Sequence, residues 1–75
     1  MDVFKIPTDF GRRLRTVVKS RGYTQRQLSR HLDVSEQAVS RYIRGDRMPN
    51  SRVLMQLAIS LDVSADYLLG LKENI

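Results

Sequence analysis

The sequence predicts an all-α fold of five short helices, and three observations support this prediction. Apolar residues recur at helical spacing, as in Phe10, Leu14, Val17 and Val18, which stand at i, i+4, i+7 and i+8. Residues that cap helices precede the apolar segments. No segment shows the sustained alternation of polar and apolar residues that is typical of a strand. With 75 residues, the chain can form one domain with a modest core.

Two start signals define the first half of the chain. The first predicted helix begins after Thr8, a plausible N-cap, and runs to about Arg21. Gly11 lies inside this helix and is expected to lower the stability of the helix by about 1 kcal/mol relative to alanine. The second predicted helix begins at Thr24, which forms a T-x-x-Q capping box with Gln27.

A tight turn joins the second predicted helix to the third. Asp33 is expected to adopt a positive φ in this turn, which aspartate tolerates better than most residues but less well than glycine. Ser35 caps the third helix and Gly45 ends it. Apolar residues anchor the helix pair to the core: Leu28, Leu32, Val34, Val39, Tyr42 and Ile43.

Two further helices complete the prediction. The fourth is capped by Asn50 or Ser51 and reaches about Leu61, and the fifth begins after Ser64 and stops at Gly70. The chain is accordingly divided into a lead-in, a helical domain and a tail, at residues 1–7, 8–70 and 71–75.

The chain is strongly basic, with a formal net charge of +5 and a pI near 10.2. Ten of its thirteen basic residues are arginine, the side chain suited to bidentate contacts with phosphate and guanine. Charge alone fits a nucleic-acid-binding surface and a merely solubilising surface about equally well. A positional pattern is needed to decide between them.

The residue types exclude several classes of function. The absence of cysteine and the single His31 argue against a disulfide framework, a zinc site or a Ser/His triad. No nucleophile–base pair, glycine-rich phosphate loop or metal cluster stands out, so we expect neither enzymatic activity nor a cofactor. The apolar runs are too short to span a membrane, and the N-terminus lacks the apolar core of a signal peptide. We therefore expect a cytoplasmic protein.

The third predicted helix carries one face that cannot be core. Its members, at i, i+1, i+4, i+5 and i+8, are Glu36, Gln37, Ser40, Arg41 and Arg44. These side chains can hydrogen-bond base edges and phosphates. The alternative interpretation is an ordinary solvated helix face.

An ordered set of residues between Leu14 and Gly70 carries a family pattern. Its members are Gln25, Leu28, Val34, Ser35, Val39, Gly45, Pro49, Leu57, Ala58 and the run from Asp66 to Gly70. Together they resemble the phage-repressor and Cro-type helix-turn-helix family, the XRE type. The resemblance implies a compact five-helix bundle of the lambda-repressor-like DNA-binding type, with helices 2 and 3 as the helix-turn-helix. It also implies a sequence-specific transcriptional regulator, expected to be a repressor, with a recognition helix at about 36–44 in the major groove.

Three features depart from the family pattern. Ser29 stands where alanine is frequent, and Asp33 stands where glycine is usual. Val18 and Ile43 occupy positions at which many members have an Arg–Glu ion pair. Replacing both charges together with apolar residues is often neutral or stabilising, so we expect Val18 and Ile43 to touch in the core.

The resemblance also implies roles for individual residues. Base edges would be read by Glu36, Gln37, Ser40 and Arg41. For Glu36, a favourable interaction with the helix dipole is an equally good explanation. The DNA backbone would be held by Thr24, Gln25, Arg26, Ser35, Arg44, Arg47 and Asn50, and Arg52 is open between backbone contact and solvation. Three arginines of the first helix are expected to add to the positive field without touching DNA: Arg12, Arg13 and Arg15.

The implied partner is double-stranded DNA carrying a pseudo-palindromic operator, bound by a homodimer. The dimer surface is expected to use the fifth helix and the tail, with Leu69, Leu71 and Ile75 as candidates. No small-molecule ligand is indicated. The alternative is an XRE-type antitoxin or a protein-interaction module whose main partner is another protein.

Overall fold

The computed structural model describes residues 9–73 and contains five helices in that range, without a strand. The helices are α1 (Asp9–Arg21), α2 (Gln25–Leu32), α3 (Glu36–Arg44), α4 (Ser51–Leu61) and α5 (Ala65–Leu68). The predicted all-α class and the five predicted helices are therefore confirmed. The lead-in 1–7, the predicted cap Thr8 and the tail residue Ile75 lie outside the described residues.

Side-chain caps fix the starts of four helices. At α2, the backbone N–H of Gln27 donates to Thr24 Oγ1 at 3.1 Å, and the Gln27 side chain accepts from the Thr24 N–H at 3.0 Å. The predicted capping box is thus present. The choice left open at α4 falls on Asn50, whose Oδ1 accepts from Val53 N–H at 2.9 Å. Ser35 and Ser64 cap α3 and α5 in the same way.

The predicted turn between α2 and α3 is confirmed. Asp33 adopts a φ of 54°, and the following N–H, of Val34, donates to the carbonyl of Ser29 at 3.1 Å. Ser29 is buried, and its hydroxyl donates to the Arg26 carbonyl at 2.7 Å. The turn is compact because its polar groups are satisfied within one helical turn.

One apolar core holds the helices together, with the strongest packing of α1 against α3 and of α2 against α3. Val18 is 5% exposed, and Ile43 is partly buried against the same core. Neither side chain is left in solvent, which agrees with the expected apolar replacement of an ion pair. Both line one groove between α1 and α3, and their direct contact stays a prediction.

Gly11 allows α1 to approach the end of α3 closely. A Cβ at this position would lie 2.3 Å from the backbone oxygen of Ile43 and 2.9 Å from the backbone nitrogen of Gly45. Both neighbours are backbone atoms, so neither can move away without displacing α3. The intrinsic helix cost assigned to Gly11 from the sequence is therefore outweighed by a packing requirement that the sequence pattern did not reveal.

Arg13 is a buried arginine that connects two parts of the fold. It is only 7% exposed, and its Nη1 donates to the carbonyls of Tyr67 at 3.2 Å and Lys72 at 3.1 Å. Its guanidinium also lies 4.7 Å from the centre of the Tyr67 ring, in a cation–π arrangement. Arg13 therefore joins α1 to α5 and to the segment after it, a structural role that the sequence did not reveal.

Two other arginines bind the exposed carbonyls at helix ends. Arg21 Nε donates to the Leu61 carbonyl at 2.8 Å, at the end of α4. Arg52 Nη1 lies 3.4 Å from the Leu32 carbonyl, at the end of α2, and donates to Gln56 Oε1 at 2.9 Å. Cations stabilise this end of a helix because they interact favourably with its dipole.

We predict that Gly11→Ala lowers the free energy of unfolding, although alanine is the better helix former. Overpacking against rigid backbone typically costs about 1–3 kcal/mol, which exceeds the gain of about 1 kcal/mol in helix propensity. Urea unfolding followed by circular dichroism measures the difference. Thr16→Ala is the control, because Thr16 is exposed on the same helix. A Gly11→Ala variant as stable as the wild type would contradict the packing requirement.

Candidate nucleic-acid interface

The α3 helix is amphipathic, with two buried anchors and an exposed polar face. Val39 and Tyr42 are its buried residues, 0% and 4% exposed. Glu36, Gln37 and Arg41 are exposed and Ser40 is half-buried. The stripe identified from the sequence therefore lies on the outer face of α3, away from its anchors.

Three of the four predicted base-contacting residues line one surface feature, which we call the α3 cleft. It is about 260 Å³ in volume and is lined by Gln37, Ser40, Arg41 and Arg44. Glu36 is exposed at the first position of α3 and does not line the cleft. Its carboxylate stands in the first turn, where a negative charge is favoured by the helix dipole. The structure thus brings Gln37, Ser40 and Arg41 together in the cleft, with Glu36 outside its lining.

Three of the predicted backbone-contacting side chains already serve as helix caps. Thr24 Oγ1, Ser35 Oγ and Asn50 Oδ1 each accept a backbone N–H bond. Their remaining donors, two hydroxyl hydrogens and one amide group, are chemically free to bond an anionic oxygen. Capping and phosphate contact are therefore compatible at these positions.

The other predicted backbone-contacting residues are all exposed: Gln25, Arg26, Arg44 and Arg47. Arg44 Nε lies 3.0 Å from Asp46 Oδ2, in an ion pair whose two side chains are about 60% exposed. Exposed pairs of this kind contribute little and are screened by salt. The Arg44 guanidinium is therefore not fixed in this pair strongly enough to prevent a contact with a phosphate.

A second surface feature, the α1–α3 groove, was not anticipated from the sequence. It is about 380 Å³ in volume and is lined by Arg15, Val18, Lys19, Tyr23, Gln25, Ser40, Ile43 and Arg44. The groove brings Arg15 and Lys19 of α1 beside predicted contact residues of α2 and α3. Their i, i+4 spacing was visible in the sequence. The sequence did not show which helix Arg15 and Lys19 face, because that depends on how α1 packs.

The two surface features share their charge character. No aspartate or glutamate is among the residues that line the α3 cleft or the α1–α3 groove. Three cations of the groove, Arg15, Lys19 and Arg44, therefore face no carboxylate within its lining. Such a surface attracts anions.

Residues 9–73 contain neither a metal-binding cluster nor a membrane-spanning helix. No group of three or more histidine, cysteine, aspartate or glutamate side chains in that range could hold a metal ion. None of the helices described there is long and apolar enough to cross a membrane.

Comparisons with known proteins agree with this geometry. A family model described as helix-turn-helix matches residues 14–68. The chain is 36% identical over 63 residues to the HTH-type transcriptional regulator ImmR of Bacillus subtilis, a match covering 84% of this chain and 50% of ImmR. It is also 36% identical over 59 residues to the uncharacterized HTH-type transcriptional regulator YazB of the same organism, covering 79% of this chain and 86% of YazB. The chain thus spans only half the length of ImmR.

The fold is shared with a solved structure. The crystal structure of the restriction-modification controller protein C.AhdI from Aeromonas hydrophila superposes with a TM-score of 0.74 at 28% sequence identity. The match covers 81% of this chain and 92% of C.AhdI. Together with the family model, it confirms the resemblance inferred from the residues between Leu14 and Gly70. The chain belongs to the XRE-type helix-turn-helix family. Its relatives ImmR and YazB are named as HTH-type transcriptional regulators.

Proposed function

We propose that this chain is a sequence-specific regulator of transcription that binds double-stranded DNA with α3 in the major groove. The exposed polar face of α3, opposite Val39 and Tyr42, is the observation that carries the proposal. Family membership supports it, because helix-turn-helix proteins place their second helix in the major groove. The basic net charge supplies the general attraction to a duplex.

The α3 cleft is proposed as the base-reading surface. Gln37 is suited to the N6 and N7 edge of adenine, and Arg41 to O6 and N7 of guanine. Ser40 lies between them in the cleft and can donate to or accept from either edge. Each good bidentate contact discriminates by about 1–3 kcal/mol against the wrong base. Glu36 is proposed to accept from cytosine N4 at the edge of this surface.

Backbone contacts are proposed for the start of α2, the start of α3 and the loop before α4. Thr24, Gln25 and Arg26 stand where the free N–H groups of α2 and its dipole favour a phosphate. Ser35 stands at the corresponding N-terminal end of α3, where a phosphate is favoured for the same reason. The positions near the loop are Arg44, Arg47 and Asn50. These contacts fix the orientation of α3 and carry no sequence information themselves.

The wider assignment follows from this binding mode. We propose that the chain acts by occupying DNA, as a repressor without enzymatic activity that works in the cytoplasm. One reading face covers only a few base pairs, and a two-fold dimer on a pseudo-palindrome doubles that number. Of the proposed dimer residues, Leu71 is 73% exposed, whereas Leu69 is partly buried against the core. Leu71 is therefore the better candidate.

We predict that Arg41→Ala and Arg47→Ala weaken DNA binding in different ways. Binding sites are first selected from random duplexes, and each variant is then measured on the selected site and on its single-base changes. Arg41→Ala should lose about 5- to 150-fold on the selected site and relax the preference at one base pair, which corresponds to about 1–3 kcal/mol. Arg47→Ala should weaken all duplexes similarly and lower the salt slope by about one. Equal losses from both variants on every duplex would refute this division of roles.

We predict that the chain sediments as a dimer on a palindromic duplex with half-sites about 34 Å apart. Leu71→Ser should reduce the dimeric fraction on that duplex. Ile59→Ser is the matched control, because Ile59 is similarly exposed, at 72%, but lies on α4. If Ile59→Ser abolishes dimerisation and Leu71→Ser does not, the assignment of the dimer surface to the tail is wrong.

A further inference from the structure

The α1–α3 groove has features that the proposed contacts do not use. Arg15 and Lys19 stand one turn apart on α1 and line the same side of it. Both side chains are exposed, and neither forms a side-chain hydrogen bond or an ion pair within residues 9–73. By contrast, Arg12 on the same helix pairs with Asp9 at 3.2 Å and lines neither surface feature.

The groove is continuous with the proposed base-reading surface. Ser40 and Arg44 line both the α1–α3 groove and the α3 cleft. Gln25, at the first position of α2, also lines the groove. A duplex bound along the α3 cleft therefore brings one of its backbone strands to the mouth of the groove.

The lining matches the chemistry of a nucleotide backbone. Three cations, the Gln25 amide and the Ser40 hydroxyl offer donors to phosphate oxygens. No carboxylate is among the lining residues, and the exposed Asp46 that pairs with Arg44 lies outside the lining. Buried Val18 and half-buried Ile43 supply apolar surface between these polar groups. A deoxyribose ring presents carbon atoms between successive phosphates, and such atoms can pack on this apolar surface.

We infer that α1 is a third DNA-binding element, in which Arg15 and Lys19 hold the phosphodiester backbone that runs between α1 and α3. This inference rests on the proposed function and adds two contact residues to it. The contact is independent of sequence, because phosphates carry no base information. It adds to affinity and to the salt dependence of binding without changing which site is preferred.

The test compares variants that change the same charge at three positions of α1. Arg15→Gln, Lys19→Gln, the double variant and the control Arg12→Gln are each titrated with the selected duplex over a range of salt concentrations. Each phosphate contact that a variant loses lowers the magnitude of the slope of log K against log salt by about 0.9. Arg15→Gln and Lys19→Gln should each lower it by about one, and the double variant by about two. Arg12→Gln should leave the slope nearly unchanged.

A position-resolved measurement complements the salt slopes. Single phosphates of the duplex are replaced by neutral methylphosphonates, and the loss of affinity is compared between the wild type and Lys19→Gln. At one flanking phosphate, the methylphosphonate should weaken binding of the wild type. The same replacement should not weaken binding of Lys19→Gln any further, because that variant has already lost the contact. Thermal unfolding checks that the variants remain folded, as expected for exposed side chains.

The outcomes separate this inference from the function on which it rests. If Arg12→Gln lowers the slope as much as Arg15→Gln and Lys19→Gln do, the cations act only through net charge and the inference is overturned. The proposed function survives that result if the wild type binds duplex DNA and Arg41→Ala relaxes its preference. If the wild type binds no duplex, or binds duplexes with an affinity that does not depend on salt, both the function and the inference fail.

Discussion

The close approach of α1 to α3 is the contact on which the position of α3 depends. Because Gly11 has no Cβ, the carbonyl of Ile43 and the amide of Gly45 can lie directly against α1. This contact fixes the C-terminal end of α3, while the Ser35 cap and the turn at Asp33 fix its N-terminal end. Val39 and Tyr42 anchor the middle. Contacts at both ends and in the middle of α3 therefore fix the direction in which its outer face points, and sequence-specific contacts require such a fixed placement.

The arginines of this chain divide into two groups with different physical roles. Arg13, Arg21 and Arg52 hydrogen-bond backbone carbonyls of other helices, and they stabilise the bundle. The arginines with surface exposure near the α3 cleft and the α1–α3 groove, such as Arg15, Arg41 and Arg44, remain available to an anionic partner. The net charge of +5 therefore overstates how many cations can meet a phosphate, and a salt slope is a better measure of the interface than charge.

Local signals in the sequence were sufficient to predict the helices but not how they pack. The capping box at Thr24 and the positive φ of Asp33 depend on residues within one turn, so their spacing along the chain identified them. The roles of Gly11 and Arg13 depend on which distant backbone lies opposite, Ile43 in one case and Tyr67 in the other. The polar stripe of α3 could be predicted for the same reason, because the spacing of residues along a single helix determines which side chains share a face. The α1–α3 groove was missed because it exists only after two helices meet.

Above all, we propose that the outer face of α3 is the surface that meets DNA. Amide chemical shifts recorded while a selected duplex is added to the labelled protein test it most directly. We expect the largest shifts on residues 36–44, on 24–26 at the start of α2, and on 15–19 of α1. Met55 and Ile59, exposed on the outer face of α4, should shift little. Shifts centred on Met55 and Ile59, with residues 36–44 unchanged, would contradict this proposal, because the duplex would then contact α4 instead of α3.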